Sequence, residues 1–141
     1  MFQRSALRSV ELPSTLKKIG CSAFEDCLQL KDVLLPGGLE QIGVRCFAHS
    51  GLEELVLPES VKEVGARAFH KCESLRRAQL NEGLRRLGAK QIVGDREYEG
   101  HVFAESALES VKLPSTLDRV GAGMFLQCEN LADIELPNGV G

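Results

Sequence analysis

The chain has 141 residues, with 20 acidic and 17 basic side chains and a net charge of −3. Acids and bases are interspersed, so the sequence lacks the basic footprint of a nucleic-acid-binding protein. No apolar run is long enough to span a bilayer, and no apolar segment after Met1 is typical of a secretory signal.

A short alternating phrase, L-x-x-V-x-L, recurs along the chain and predicts short β-strands. Every copy but one is followed by proline, which removes a backbone N–H and ends the strand; Asn81 takes the place of proline in the remaining copy. More than a dozen residues separate successive copies, which excludes hairpins and favours parallel neighbours. The predicted strands are 7–12, 30–35, 52–57, 75–80, 108–113 and 131–136.

A second phrase, I-G-x-x-A-F, lies between successive strands and ends in phenylalanine. The six phenylalanines of the chain are at positions 2, 24, 47, 69, 103 and 125. The phrase is too short for a full helix, so we expect turns, 3₁₀ pieces or very short strands on the back of the molecule. The third residue after each phenylalanine alternates between serine and cysteine, which predicts two turn types used in turn. These residues are Ser5, Cys27, Ser50, Cys72, Ser106 and Cys128.

One repeat is longer than the others. From Gly20 to Phe24 the chain advances 4 positions, whereas from Gly88 to Phe103 it advances 15. The 11 extra residues lie within 89–102. Insertions in repeat proteins map to loops, so this segment is predicted to be an insertion loop.

The repetition predicts a solenoid, because one repeat cannot bury its own Leu, Val, Ile and Phe and stacking places each beside its equivalent. The phrase LPSTLKKIGCSAFEDCLQL, residues 12–30, resembles the BspA-type leucine-rich repeat. The resemblance covers residues 2–140 and implies a leucine-rich-repeat solenoid with a curved parallel β-sheet of about six short strands. Members of that family are mostly repeat segments of larger proteins, and many are surface proteins of bacteria and protists that bind host proteins.

The domain organisation follows from the same pattern. Residues 1–141 are expected to form a single solenoid domain. Met1 and Gly141 both fall inside repeats. Two alternatives therefore stay open: the chain is a segment of a longer array, or another chain covers its end strands. We expect the end repeats to make intermolecular contacts, since solenoids normally need polar caps.

Residues that could carry chemistry favour a non-catalytic protein. Cysteines of the same column are two repeats apart, roughly 9–10 Å, beyond disulfide reach, so all five are expected to be reduced packing residues. No C-x-x-C pair indicates zinc. His49 and His70 are expected to be exposed turn residues rather than metal ligands. We predict no catalytic residue, metal or cofactor.

Two surfaces are candidates for binding a partner. Strand residues between the buried positions should face the open side of the sheet, where Leu34 and Val56 would form the apolar centre of a contact patch. The alternative is that these two residues are exposed without a binding role, because β-branched and other apolar residues are common in strands. The candidate front-face residues are Asp32, Leu34, Glu54, Val56, Arg77, Gln79, Ser110 and Lys112. The rival is the insertion, with Asp95, Arg96 and the only tyrosine, Tyr98, unless it is merely a solvated loop.

These features predict a protein-interaction module that binds through its concave sheet. The alternatives are an architectural subunit that contacts neighbours through its ends, convex side and 89–102 loop, and a surface adhesin-type repeat segment. The expected partner is a protein or a neighbouring chain of an assembly, without nucleic acid, metal or membrane insertion. Its location stays open between an intracellular assembly and a cell surface.

Overall fold

The computed structural model of the protein describes residues 6–135. Within that range the chain forms strands two or three residues long, joined by turns. In chain order they are β1 (Lys18–Ile19), β2 (Gln41–Ile42), β3 (Glu54–Val56), β4 (Glu63–Val64), β5 (Arg77–Gln79), β6 (Arg86–Leu87), β7 (Gln91–Val93), β8 (Arg96–Tyr98), β9 (Ser110–Lys112), β10 (Arg119–Val120) and β11 (Asp133–Glu135).

The strands form a solenoid with two parallel sheets. A front sheet has the order β3-β5-β9-β11, and a back sheet has the order β1-β2-β4-β6-β10. Equivalent residues pair directly, for example Leu55 with Ala78 and Ile42 with Val64. Successive coils therefore lie side by side in chain order, as the repeat predicts. The back segment contains very short strands, one of the forms expected for it.

The front strands are shorter than the six residues predicted. Only the three central residues of each phrase pair in β3, β5, β9 and β11, and the first two copies meet in a single bridge between Glu11 and Leu34. The leucines that flank the centre, such as Leu52 and Leu57, are buried where each coil turns its corner. A closed coil has to bend there, so the extended segment ends early. Leu136 lies outside the described residues.

A stack of phenylalanine rings fills the centre of the solenoid. The ring centroids of Phe24, Phe47, Phe69 and Phe103 are 5.2 to 5.5 Å apart, and Phe125 follows at 6.2 Å. Neighbouring rings are tilted by no more than 11°. The first four are almost fully buried. Like residues thus pack on like along the axis, as stacking requires; Phe2 lies outside the described range.

Left-handed residues flank each of these rings two positions before and after it. Around Phe24 they are Ser22 and Asp26, with φ of 58° and 62°. The same placement recurs in the later coils, at Arg45 and His49, Arg67 and Lys71, His101 and Glu105, and Gly123 and Gln127. The resulting turns aim alternate N–H groups at the next coil: Ser22, Phe24 and Asp26 donate to the carbonyls of Val44, Cys46 and Ala48.

Asn81 adapts one corner of the solenoid to the missing proline. Its side chain is buried, and its amide Nδ2 donates to the carbonyls of Glu59 at 3.2 Å and Val61 at 2.9 Å. Both acceptors belong to the preceding coil. The departure from proline therefore adds hydrogen bonds between coils and leaves their stacking intact.

The insertion is a β-hairpin that leaves the solenoid after β6. Strands β7 and β8 pair antiparallel around Gly94 and Asp95, and Gly94 at φ 65° allows this two-residue turn. The Gly100 N–H donates to the Gly88 carbonyl at 2.8 Å, so the two ends of the insertion meet. Arg67 N–H donates to Gly100 O as Arg45 N–H donates to Ala66 O. Gly100 thus continues the column of Ala66, and the inserted residues are 89–99.

Candidate functional site

The front sheet presents the predicted candidate residues to solvent. All eight are exposed, since the residues between them, such as Leu55 and Val111, turn inward. Glu54 pairs with Arg77, and Arg77 pairs with Ser110, so these three form one continuous row. The structure brings the candidate residues onto one face.

Leu34 and Val56 form an apolar spot on this face. Their exposed fractions are 86% and 58%, the former the largest exposure among the large apolar side chains of the described range. Glu53 N–H donates to Lys31 O, as Arg76 N–H donates to Glu53 O, and this common register places Leu34 in the row of Val56. An adjacent exposed pair is typical of a contact centre.

Charged side chains lie on the same face, beside Val56 and in the coils that follow it. Arg77 Nη1 lies 3.7 Å from Glu54 Oε1, and Lys112 Nζ lies 4.0 Å from Glu135 Oε1. Exposed ion pairs of this kind add little stability, so they are free to exchange partners. A shallow cavity of about 470 Å³ opens beside the row, lined among others by Glu53, Glu73, Arg76 and Glu109. The rim is polar and can supply hydrogen bonds to a protein ligand.

Only part of the binding site predicted in the insertion is exposed to solvent. Asp95 and Arg96 are exposed at the hairpin turn, but Tyr98 is half-buried and pairs with Gln91 on the other strand. Ile92 is the prominent apolar residue instead, 74% exposed. The sequence analysis missed Ile92, because the direction of each side chain depends on the hairpin register, which composition does not reveal.

The two histidines after the repeat phenylalanines make specific contacts, contrary to the expectation of exposed turn residues. His49 Nδ1 lies 2.8 Å from Asp26 Oδ1, and His70 Nε2 lies 3.0 Å from Glu105 Oε2. His70 is largely shielded, and this burial lowers its pKa below the ordinary value despite the opposing effect of Glu105. Each histidine joins its coil to a neighbour, because stacking brings acids from adjacent coils into reach.

Four of the five cysteines are at least partly buried packing residues in the structure, and the prediction is wrong for Cys21, which is exposed. Cys27, Cys46 and Cys72 are buried, and the Cys72 Sγ donates to the Phe47 carbonyl at 3.1 Å. Burial raises the pKa of Cys72 to about 11 and raises that of Cys46 as well. These thiols stay protonated near neutral pH and are poor nucleophiles or metal ligands.

Titratable groups do not converge on a metal site within residues 6–135, where no group of three or more His, Cys, Asp or Glu side chains could hold an ion. Nor does the described part of the chain contain a helix of the length and apolarity that a membrane span needs.

Solved structures with the same architecture come from bacterial proteins. A leucine-rich repeat protein from Bacteroides ovatus is 32% identical with a TM-score of 0.71, and the alignment covers 92% of this chain and 31% of that one. The pneumococcal vaccine antigen PcpA is 26% identical with a TM-score of 0.78, covering 94% and 31%. A leucine-rich repeat protein from Eubacterium ventriosum, 21% identical, shares the fold with a TM-score of 0.81, covering 96% and 33%.

This chain thus spans about a third of the length of those three proteins. No curated protein matches it at a significant level. The model of the BspA type leucine rich repeat region matches residues 1–93 and 96–141 in six copies. The matched residues include every coil described above, and the gap falls at the hairpin turn. The chain therefore belongs to the BspA-type leucine-rich-repeat family.

Proposed function

We propose that the protein is a non-catalytic interaction module that binds a protein partner through its front sheet. The observation that carries the proposal is the exposure of Leu34 and Val56 in adjacent coils, on the face that the parallel front sheet forms. Parallel sheets are usually covered on both faces. An uncovered one with an apolar centre and a charged rim has the composition of an interface.

Family membership supports the coarser part of this proposal, because leucine-rich repeats commonly serve as protein-interaction or surface repeats. Burial raises the pKa of the Cys46 and Cys72 thiols, which makes both poor nucleophiles. The front face therefore supports recognition better than catalysis. The adhesin-type role remains the narrower version, in which the partner is a host protein.

The test is comparative capture of partners from native extract by the immobilised chain. Leu34→Asp combined with Val56→Asp should remove the captured protein, because both charges would enter a desolvated contact. The control is Ile92→Asp, which places a charge at an exposed apolar side chain of the hairpin, outside the front sheet. Equal capture by the front-face variant and the wild-type chain would refute the proposal.

An architectural role is the second candidate, and a separate observation favours it. Val120 and Ile134 occupy inward-facing columns, yet they are 48% and 42% exposed, whereas Val64 and Leu55 in the same columns are buried. The last described coil thus exposes apolar core residues that either a further coil or a neighbouring molecule would cover. Static light scattering of the isolated chain tests this: self-association with concentration supports it, and a monomer at high concentration counts against it.

A further inference from the structure

A cleft separates the base of the hairpin from the back sheet. Its volume is about 510 Å³. The sheet contributes Arg86, Arg119 and Val120, and the hairpin contributes Lys90, Gln91 and Glu99. The other four coils have no insertion here, so this cleft is a particular feature of the fourth coil. It lies on the back of the solenoid, away from the front-face residues.

Two arginines lie next to each other in this cleft, and Glu63 is the ladder partner of Arg86 on its other side. Arg86 of β6 and Arg119 of β10 are direct partners in the parallel ladder, and both are exposed. Like charges on neighbouring strands disfavour the sheet. Among the described residues no carboxylate lies within salt-bridge distance of either guanidinium. A bound anion would remove this repulsion.

The immediate neighbours show that the chain does pair its other charges there. Arg85, one residue before Arg86, donates from Nε to Asp118 Oδ2 at 2.8 Å. Lys90 Nζ lies 3.0 Å from Glu97 Oε1. Among the cations that line the cleft in the described residues, Arg86 and Arg119 are therefore the two without an ion pair. Adjacent guanidiniums of this kind fit a carboxylate, which accepts two parallel N–H bonds from arginine.

The other residues that line the cleft would leave hydrogen-bonding groups unpaired if the ligand were a simple anion. The carboxylates of Glu63 and Glu99 also line the cleft, and they need hydrogen-bond donors from an occupant. Gln91 Oε1 is shielded from solvent and accepts no hydrogen bond, so turning this amide toward a ligand would break none at that oxygen. Val120 adds exposed apolar surface. Carboxylate, N–H donors and apolar side chains occur together in a peptide.

We propose that this cleft binds an acidic peptide segment of a protein partner. A carboxylate of the peptide accepts hydrogen bonds from Arg86 and Arg119. Backbone N–H groups donate to Glu99 and to the amide oxygen of Gln91, and an apolar neighbour packs on Val120. The carboxylate comes from an Asp or Glu side chain or from a chain end, since both have the same chemistry.

The test uses fluorescence anisotropy with a labelled decapeptide of alternating glutamate and valine, amidated at its C-terminus. The full chain should bind it, and R86Q with R119Q should weaken binding about tenfold or more, because two charge-assisted contacts are lost. K18Q with K62Q is the control: it removes the same charge from the back sheet outside the cleft, and it should change the affinity less than about twofold.

Further arms identify the ligand. A peptide without acids but with a free C-terminus that binds as tightly assigns the carboxylate to a chain end. No binding by the wild-type chain, equal losses in the two variants, or preferential binding of an acidic oligosaccharide would overturn the proposal. L34D with V56D should leave peptide binding unchanged. The proposal for this cleft and the proposal for the front face are therefore tested independently. The melting temperature of R86Q with R119Q should be unchanged or higher, since like charges are removed.

Discussion

Residues two positions from each core phenylalanine adopt a conformation that L-amino acids disfavour. A left-handed residue other than glycine costs about 1–2 kcal/mol, and nine such residues occur in the described range. Eight of the nine in return direct a backbone N–H to the next coil, as Arg67 does to Gly100 and Lys71 to Ala104. Asp26, His49 and His101 belong to residue types that tolerate this region. Stacking of the coils thus requires the strained backbone conformation, and the hydrogen bonds between coils offset its cost.

His70 should make stability depend on pH. Its burial lowers the pKa below the ordinary 6.5, outweighing the carboxylate of Glu105, while Arg67 and Lys71 lower it further. The folded state therefore binds a proton less readily than the unfolded chain. The stabilising contribution is fully present above the unfolded pKa and is lost as the pH falls below it toward the lowered folded value.

Urea unfolding at about pH 7.5 and about pH 5.5 checks this dependence. The wild-type chain should lose more unfolding free energy on acidification than His70→Asn, which cannot titrate. The two chains differ only at this position, so every other group contributes equally to both. A variant that loses as much free energy as the wild-type chain would show that His70 is not the responsible group.

At the level of elements, the hairpin is a closed insertion into a regular coil. Gly88 N–H donates to Val64 O at 2.8 Å, as Gly65 N–H donates to Ile42 O in the coil before it. A side chain at Gly100 would collide with the Ala122 carbonyl, its Cβ only 1.9 Å from that oxygen, so glycine is required where the hairpin rejoins the stack. The solenoid thus continues past the insertion without a change of register.

Removing residues 89–99 and joining Gly88 to Gly100 should leave the solenoid folded. The two ends already meet, so joining them needs little backbone movement, and we expect the melting temperature to change by less than about 4 °C. Circular dichroism during heating measures it. The control replaces the same residues by a glycine-serine linker of equal length, which should be slightly less stable because it adds loop entropy. Loss of the cooperative transition on deletion would show that the hairpin supports the stack.

At the level of the whole molecule, the contacts that stabilise the fold are repeated from coil to coil along the solenoid axis. Each coil contacts its neighbours only, through paired strands, turn hydrogen bonds and stacked rings, as in other repeat proteins. Phe69 has a ring on both sides, whereas Phe125 follows Phe103 at the larger spacing and is half-buried. The interior of the stack is thus better packed than its last described coil.

This difference predicts a gradient in mutational cost. Phe69→Ala should lower the unfolding free energy by about 3–5 kcal/mol, since it leaves a cavity between two rings. Phe125→Ala removes the same atoms from a half-buried place and should cost clearly less. Chemical denaturation of the two variants compares them directly. Equal losses would contradict a core that weakens toward this end.

The sequence by itself determined the repeat, the parallel order of the coils and the buried columns. Inward positions such as Leu55 and Phe47 recur at fixed spacing, and stacking gives every coil the same environment. The outward direction of Leu34 and Val56 follows from the same alternation. A regular period contains this information, because one coil predicts the next.

Only the tertiary structure decided how neighbouring coils meet in detail. The two-residue back strands, the left-handed turns and the partners of His49 and His70 depend on backbone and side chains in adjacent coils. The hairpin register, which exposes Ile92 and half-buries Tyr98, breaks the period and so has no template in the other coils. Arg86 and Arg119 have ordinary places in the repeat. Their lack of a partner follows from which side chains the stack and the hairpin bring into reach, and a linear pattern does not contain those distances.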